Sequence, residues 1–294
     1  MVVRSLLRAQ HPDLADLEIR AVPGGWDNQV WRVGGRLAVR LPRTPGAPEL
    51  LRKEQRWLPV LAPRLPLPVP VPVRTGTPSA AFPRPWAVVT WVPGEPGDRA
   101  VLTRGDDAAV RLAGFLAALH ASAPAEAPVN EVRGGTLCGR TAEFEERFGA
   151  VADLLTGAEL SDARSLWQQA VAAPAWSGAP VWLHGDLHPA NVVVADGTLA
   201  GVLDFGDVCA GDPATDLAAV WLLLPAGTAR RFFRSYGTVH EATLRRARGW
   251  AVLRALSLLG IGRAHERGLP GGQPGWARAG RAALGRLGAA RRAG

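Results

Sequence analysis

Hydrophobic positions change their period part of the way along the chain. Between Glu18 and Leu41 they fall in short runs set off by glycine pairs: EIRAV, NQVWRV and RLAVRL. Val30, Trp31 and Val33 favour strands, and Gly34-Gly35 reads as a two-residue hairpin turn. PELLRKEQRWLPVL follows at helical spacing. Leu50, Leu51, Trp57, Leu58 and Leu61 share a broad face, and Pro59 is expected to bend or end the helix. In LPLPVPVPVRTGTP, proline at every second position forbids a helix, so this stretch runs extended. WAVVTWV at 86–92 is a strand closed by Pro93-Gly94.

Beyond that point helical spacing takes over. Helices are predicted over Asp107–His120, with Ala108, Leu112, Phe115, Leu116 and Leu119 on one face, and over Thr141–Leu155. Further helices are predicted over Asp216–Leu224, Ala229–Tyr236, Glu241–Leu259 and Gly275–Ala290. Strands return only in VWLHG (181–185) and in NVVV and LAGVL, which flank Asp196-Gly197. The pattern predicts an α+β chain. A mostly antiparallel β front part carrying one helix precedes a mostly helical back part, with the change near Val92–Gly97.

Composition narrows the class. The chain's 294 residues, 47% of them apolar, allow one large domain or two smaller ones with a real core. No run of about eighteen apolar residues occurs, so no membrane partner is expected. The opening MVVRSLLRAQHPDL lacks the apolar stretch and cleavage site of a secretion signal. Cys138 and Cys209 form no metal or redox spacing and are expected as reduced thiols in a cytoplasmic protein. The net charge of +8 raises the question of nucleic acid. Lys53 is the only lysine, however, and the arginines are dispersed, with no basic run interleaved with aromatics. The charge therefore reads as arginine replacing lysine throughout, and nucleic acid is not expected as a partner.

Candidate chemistry gathers in one stretch. HGDLHPAN occupies 184–191 and DFG occupies 204–206. Asp196-Gly197 is a type I′ hairpin signal between two apolar runs. With a two-residue turn, Asn191 falls opposite Val202 and Asp204 becomes its diagonal neighbour, while Asp186 lies on the loop feeding the hairpin. Three hard oxygen groups at one rim suit Mg²⁺, which shares its shell with phosphates. Their spacing matches the kinase pattern of H-R-D-x-x-x-x-N followed by D-F-G, in which the protein positions groups and neutralises charge. Two other readings stand beside this one. His184, Asp186 and His188 form H-x-D-x-H, a partial zinc set that would leave Asn191 and Asp204 unexplained. Singly, Asp186, Asn191 and Asp204 could also be ordinary caps or turn residues.

Gly185-Asp186-Leu187-His188-Pro189-Ala190-Asn191, then Asp204-Phe205-Gly206-Asp207, Gly211-Asp212-Pro213 and Asp216-Leu217-Ala218 together resemble the aminoglycoside phosphotransferase family. That family also contains macrolide, choline and homoserine kinases. The resemblance covers most of the chain. It implies a protein-kinase-like two-lobe fold: residues 1–92 as a nucleotide-binding lobe, 93–98 as a hinge, and 99–294 as a helical lobe with the catalytic loop and substrate site. It implies Asp186 as catalytic base, and Asn191 and Asp204 as Mg²⁺ ligands. Gly211-Asp212-Pro213 and Asp216 would brace the site. Asp216 also reads as a charge at the N-terminus of its own helix.

A nucleotide site needs three more parts. Pro23-Gly24-Gly25-Trp26-Asp27-Asn28 is the candidate phosphate-covering loop, with Gly25 opening the backbone to phosphate and Asn28 as a further donor. Arg40, in LAVRL, stands where the family often carries lysine, and Glu54 on the following helix is its best partner. Arg40 could also be a solvated edge-strand charge, and Glu54 an exposed helix charge. The backbone at Trp91 and Val92 would meet the purine of ATP or GTP.

Only about ten residues separate Gly206 from the helix near Asp216, and no A-P-E motif follows. A small-molecule hydroxyl acceptor is therefore expected, from a monomer or homodimer. An aminoglycoside-type antibiotic is a polycation, for which Glu143, Glu145, Glu146, Asp153, Glu159 and Asp162 offer carboxylates. A macrolide or a metabolite of choline or homoserine type is the alternative, and Trp167 and Trp176 could wall such a pocket or belong to the core. A kinase-like module that binds without catalysis is the reading of another class, and Arg40 is the one feature that favours it.

Overall fold

The computed structural model describes residues 2–293. The chain divides into two compact units, Met1–Pro93 with Ala200–Val208, and Gly94–Leu199 with Cys209–Gly294.

The first unit begins with helix α1 (Val2–Gln10). Strands β1 (Ile19–Val22), β2 (Asn28–Val33) and β3 (Leu37–Pro42) follow, then helix α2 (Ala47–Leu61) and strands β4 (Pro72–Gly76) and β5 (Trp86–Thr90). The five strands form one antiparallel sheet in the order β1-β2-β3-β5-β4. β3 lies in the middle of the sheet, with α1 packed on one face and α2 on the other, and its buried residues run from Ala38 to Pro42. Alternation sorts them. Val39 and Leu41 join Val33, Trp86 and Val88 against Val3, Leu6 and Leu7 of α1. Ala38, with Ala87 and Val89 of β5, packs on Leu51 of α2.

Helix α2 buries Ala47, Leu51, Glu54, Leu58 and Leu61, a stripe at steps of four and three. A carboxylate thus occupies the middle position of an apolar stripe. By the period of two, Arg40 shares the Ala38 face of β3, the face that α2 covers. Sheet and helix therefore bring Arg40 and Glu54 together before any chemistry is considered.

The second unit holds β6 (Glu95–Pro96) and the helices α3 (Gly105–Leu119), α4 (Thr141–Val151) and α5 (Gly157–Val171). Strands β7 (Val181–Leu183), β8 (Val192–Ala195), β9 (Thr198–Val202) and β10 (Cys209–Gly211) come next, β9 running across the division in sequence. The helices α6 (Ala214–Leu217), α7 (Ala219–Leu223), α8 (Ala229–Tyr236), α9 (Glu241–Glu266) and α10 (Trp276–Ala293) complete the chain. β7 pairs with β10, and β6, β8 and β9 form a small sheet. Helix α9 is the spine of this unit: Trp250, Ala251, Val252, Leu253, Ala255, Leu256, Leu258 and Leu259 are all buried.

The β front and helical back follow the sequence expectation, and several details differ. Val33 pairs with Leu37, so three residues, Gly34 to Arg36, make the turn expected to have two. Gly34 supplies the left-handed φ of +58° there. Pro59 sits inside α2, one turn from its end, without stopping it. The proline-rich stretch ends in β4, which pairs at the sheet edge, where proline's missing N–H costs no ladder bond. Helices α1 and α5 were not predicted. α5 carries a full capping box, the Thr156 side chain accepting from the Glu159 N–H while the Glu159 side chain accepts from Thr156. The helix predicted over 216–224 is divided into α6 and α7. Among the described residues no helix is long and apolar enough to cross a membrane. Among the described residues, Cys138 and Cys209 form no disulfide.

Candidate active site

In the second unit, β7 delivers the loop His184–Asn191 to the start of β8. Gly185 adopts a φ of +83°, a left-handed turn that suits glycine. The Asp216 carboxylate holds this turn from below, accepting the N–H of His184 at 2.7 Å and that of Gly185 at 2.9 Å. Asp216 is 1% exposed, and its Oδ2 lies 3.4 Å from Nε2 of His120. Nδ1 of His120 in turn lies 2.7 Å from the hydroxyl of Tyr236. Burial, and then the nearby Asp216 charge, push the Tyr236 hydroxyl pKa above its ordinary value. Asp216 therefore braces the loop, and its own helix is too short to explain it. Asp212, four residues earlier, ties the start of α6 to α9, accepting from Arg246 Nε at 2.6 Å and from the Ala214 N–H at 3.0 Å.

Within the loop, the Asp186 N–H is donated to His184 Nδ1 at 3.2 Å, and the Asn191 Nδ2 amide to the Asp186 carbonyl at 3.0 Å. That bond leaves the Asn191 amide oxygen as a hard donor on the opposite side of the same group. Asp186 itself is surrounded by positive charge. Arg133 and Arg254 each place a guanidinium nitrogen 3.1 Å from its Oδ1, and His188 Nε2 lies 3.6 Å from its Oδ2. Burial works against its ionisation, but the His188 hydrogen bond and the charges of Arg133, His188 and His184 outweigh it and hold the pKa at about 2.

The first unit contains the other half of the predicted set. Arg40 ion-pairs with Glu54, and its second terminal nitrogen lies 3.7 Å from Oδ1 of Asp204. Arg40 is 8% exposed and Glu54 1%. Burial opposes the guanidinium charge, while Glu54, Asp204 and Asp27 more than restore it, so its pKa is raised. Asp204 has a φ of +60°, a left-handed backbone that Asp tolerates better than most residues, and its side chain is 45% exposed. Phe205 beside it is fully buried, and a Cβ on Gly206 would stand 3.0 Å from that of Leu50 on α2.

In the glycine loop, Gly24 and Gly25 both have positive φ, and a side chain at Gly25 would collide with the Asn28 carbonyl. Asn28 is buried and its Oδ1 lacks a hydrogen-bond partner. Asp27 and Thr44 tie the loop to the end of β3 through a 2.6 Å bond. Trp91 is half-buried under the Arg32 guanidinium, 5.1 Å from its ring centre, and its N–H is donated to the Arg36 carbonyl. Val92 is buried.

Arg40, Glu54 and Asp204 are thus brought together in one unit, and Asp186 and Asn191 in the other. The Asp196-Gly197 turn between them has both residues at positive φ, +49° and +72°, as a type I′ turn requires. The zinc reading fares poorly. Nδ1 of His184 and of His188 face backbone N–H groups, and among the described residues no three His, Cys, Asp or Glu side chains gather as a metal set.

Arg133 and Arg254 were missed in the sequence. For Arg254 a signal existed: it interrupts the apolar run of α9 between Leu253 and Ala255. Arg133 sits in a glycine-rich loop with no periodicity to mark it. The six carboxylates proposed for a polycation all stand beside arginine. Glu143 pairs with Arg140 and Arg147, Glu145 with Arg164, and Asp153 with Arg263. Glu159 pairs with Arg281, Asp162 with Arg291 and Arg292, and Glu146 lies within the field of Arg147. Trp167 belongs to the core, stacked on Phe144, whereas Trp176 is exposed.

Solved structures share this architecture. The GDP complex of aminoglycoside 2'-phosphotransferase-IIIa is 22% identical, with a TM-score of 0.71 over 98% of each chain. The GDP and kanamycin complex of APH(2")-IIia is 23% identical, with a TM-score of 0.72 over 98% of each. The apoenzyme of macrolide 2'-phosphotransferase MphH from Brachybacterium faecium is 25% identical, with a TM-score of 0.60 over 95% of this chain and 97% of its own. No curated protein matches the sequence. The likeness of fold extends through both units. Residues 18–256, which include the glycine loop, Arg40, Glu54, the Asp186 loop and Asp204, match one family description, so the chain belongs to the phosphotransferase enzyme family.

Proposed function

We propose that this protein transfers the γ-phosphoryl group of ATP or GTP to a hydroxyl of a small molecule. The observation that carries the reading is the buried Arg40–Glu54 pair, with Asp204 at 3.7 Å from the same guanidinium. A buried cation fixed by a helix acid beside the DFG aspartate is the arrangement phosphoryl transfer needs on its nucleotide side. It also speaks against a solvated-charge role for Arg40. The fork of Arg40 grips the phosphates, Gly25 and Asn28 cover them, and the backbone at Trp91 and Val92 meets the purine.

Asp186 accepts a hydrogen bond from the incoming hydroxyl and aims it in line with the γ-phosphorus. With a pKa of about 2, this carboxylate is a weak base, so its main work is orientation. In a largely dissociative transfer the hydroxyl proton need not move early. Asn191 and Asp204 would hold Mg²⁺, which would supply neutralisation of the phosphate charge. The expected cytoplasmic location agrees with a nucleotide triphosphate donor.

Among acceptors, the arginine pairing of Glu143, Glu145, Asp153, Glu159 and Asp162 favours one less cationic than an aminoglycoside. A thermal-shift titration with MgATP and MgGTP tests the nucleotide assignment. A stabilisation that disappears in Asp204→Ala is expected, and no shift with either nucleotide would refute it.

A further inference from the structure

Tyr236 and His120 take no part in the transfer just described, yet they lead, one through the other, to the carboxylate behind the Asp186 loop. We infer that Tyr236, His120 and Asp216 form a directed hydrogen-bond chain that positions this loop, with His120 held as the neutral tautomer protonated on Nε2. Tyr236 and His120 are thus positioning residues, a role that rests on the phosphotransferase reading.

The three side chains come from three separate helices of the second unit. His120 caps the C-terminus of α3, its N–H donated to the Leu116 carbonyl. Tyr236, the only tyrosine of the chain, is the last residue of α8. Its ring stacks on fully buried Phe232 and meets the His120 ring at a T-shaped angle, with centres 5.8 Å apart. Asp216 lies in α6. The His120 side chain is 4% exposed and that of Asp216 is sealed from water. Helix packing therefore places every link.

The atoms set the direction of each bond. Asp216, a carboxylate that already accepts two backbone N–H groups, offers only lone pairs. Its Oδ2 lies 3.4 Å from Nε2 of His120, so that nitrogen carries a proton. Nδ1 lies 2.7 Å from the Tyr236 hydroxyl. Burial, and then the Asp216 charge, raise the Tyr236 pKa, so the phenol keeps its proton and donates to Nδ1. An imidazolium, donating from both nitrogens, would turn the phenol into an acceptor and strip its O–H of this partner.

The far end of the chain meets the loop. The Asp216 oxygen that faces His120 is the one that accepts the His184 N–H at 2.7 Å. His184 then accepts the Asp186 N–H on Nδ1 at 3.2 Å. A fixed Nε2–H thus fixes the carboxylate, the carboxylate fixes His184 and Gly185, and these fix Asp186. Apolar side chains would fill the same space without needing partners, whereas a satisfied buried chain specifies one geometry. Misplacing a reacting group by about 1 Å costs about a hundredfold in rate, so turnover is what the chain protects.

Three variants test it. Tyr236→Phe removes one oxygen and keeps the ring packing. His120→Leu removes both nitrogens, and His120→Gln keeps an N–H donor for Asp216. In ¹H–¹⁵N spectra of the full chain, the His120 ring, identified by its loss in His120→Gln, should show the Nε2–H tautomer, with Nδ1 shifted in Tyr236→Phe. Amide exchange at His184 and Gly185 should quicken by about threefold in Tyr236→Phe and about tenfold in His120→Leu. With MgATP or MgGTP and pooled hydroxylated acceptors, kcat should fall about fivefold in Tyr236→Phe and about thirtyfold in His120→Leu, with His120→Gln between wild type and His120→Leu and nucleotide KM within about twofold. Tyr236→Phe carries the test even where His120→Leu does not fold. An imidazolium or Nδ1–H signal, unchanged amide exchange in Tyr236→Phe, or equal losses in KM and kcat would overturn the chain. A wild type that transfers no phosphate would strike the phosphotransferase reading instead, and the ring tautomer and amide exchange would still decide for or against the chain.

Discussion

Arg40 and Glu54 depend on each other. Each is nearly sealed from water, and neither charge is tolerable there alone. Glu54→Ala should lower unfolding stability by about 3 kcal/mol in urea titrations, an effect out of proportion to one exposed ion pair. An unchanged urea midpoint would show that the pair is not the buried unit described. Asp186 has the opposite character, an exposed enough carboxylate held ionised by its neighbours. Its pKa of about 2 lies below the ordinary carboxylate value. Its contribution to stability is thus fully present above about pH 4 and is lost as pH falls through about 2. The difference in urea stability between wild type and Asp186→Asn should therefore shrink as pH drops from about 6 to about 3, and a difference that grows would contradict the assignment. At this scale the motif residues were legible because DFG and the aspartate–asparagine spacing are local. Arg133 was not, because its partner lies fifty-three positions away and nothing in a glycine-rich loop announces it.

Helix α2 and strand β3 show how much an element's pattern reveals. A glutamate at the centre of the 47-51-54-58-61 stripe is anomalous in sequence, and the anomaly marks the site. Helix α1 carries Val3, Leu6 and Leu7 at helical spacing, but nine residues make too short a pattern to separate a helix from other structure by period alone. The sheet edge was hidden differently. Prolines forbid a helix but do not announce pairing, and β4 is identified by its partner β5 rather than by itself. Gly76 shows the same dependence: a Cβ there would overlap the ring of fully buried Trp86. Gly76→Ala should cost about 2 kcal/mol of stability, measurable by thermal unfolding, and a neutral result would mean the strand end shifts freely. The brace from α6 to the Asp186 loop makes a functional prediction. Asp216→Asn replaces a two-oxygen acceptor by a group with one, so one of the His184 and Gly185 N–H groups loses its partner. Nucleotide affinity should stay within about twofold while kcat falls by about tenfold or more. Equal losses in both would indicate general damage rather than a displaced loop.

Across the whole chain, the β-to-helix change of period revealed the architecture, whereas the grouping of residues did not follow sequence order. Ala200–Val208, late in the chain, belongs by its contacts to the first unit, and it carries Asp204 to Arg40. The D-G hairpin signal is local, but only tertiary packing reveals the return of Asp204 to Arg40. Arginines are engaged in pairs such as Arg164–Glu145 and Arg263–Asp153. The proposed transfer requires Asp186 as the group that meets the acceptor hydroxyl. The most direct measurement is Mg²⁺-dependent release of ADP or GDP with phosphate transfer to a pooled set of hydroxylated acceptors, comparing wild type with Asp186→Ala under saturating nucleotide. Transfer should fall by about a thousandfold or more while the nucleotide still binds. Undiminished transfer in Asp186→Ala would contradict the account.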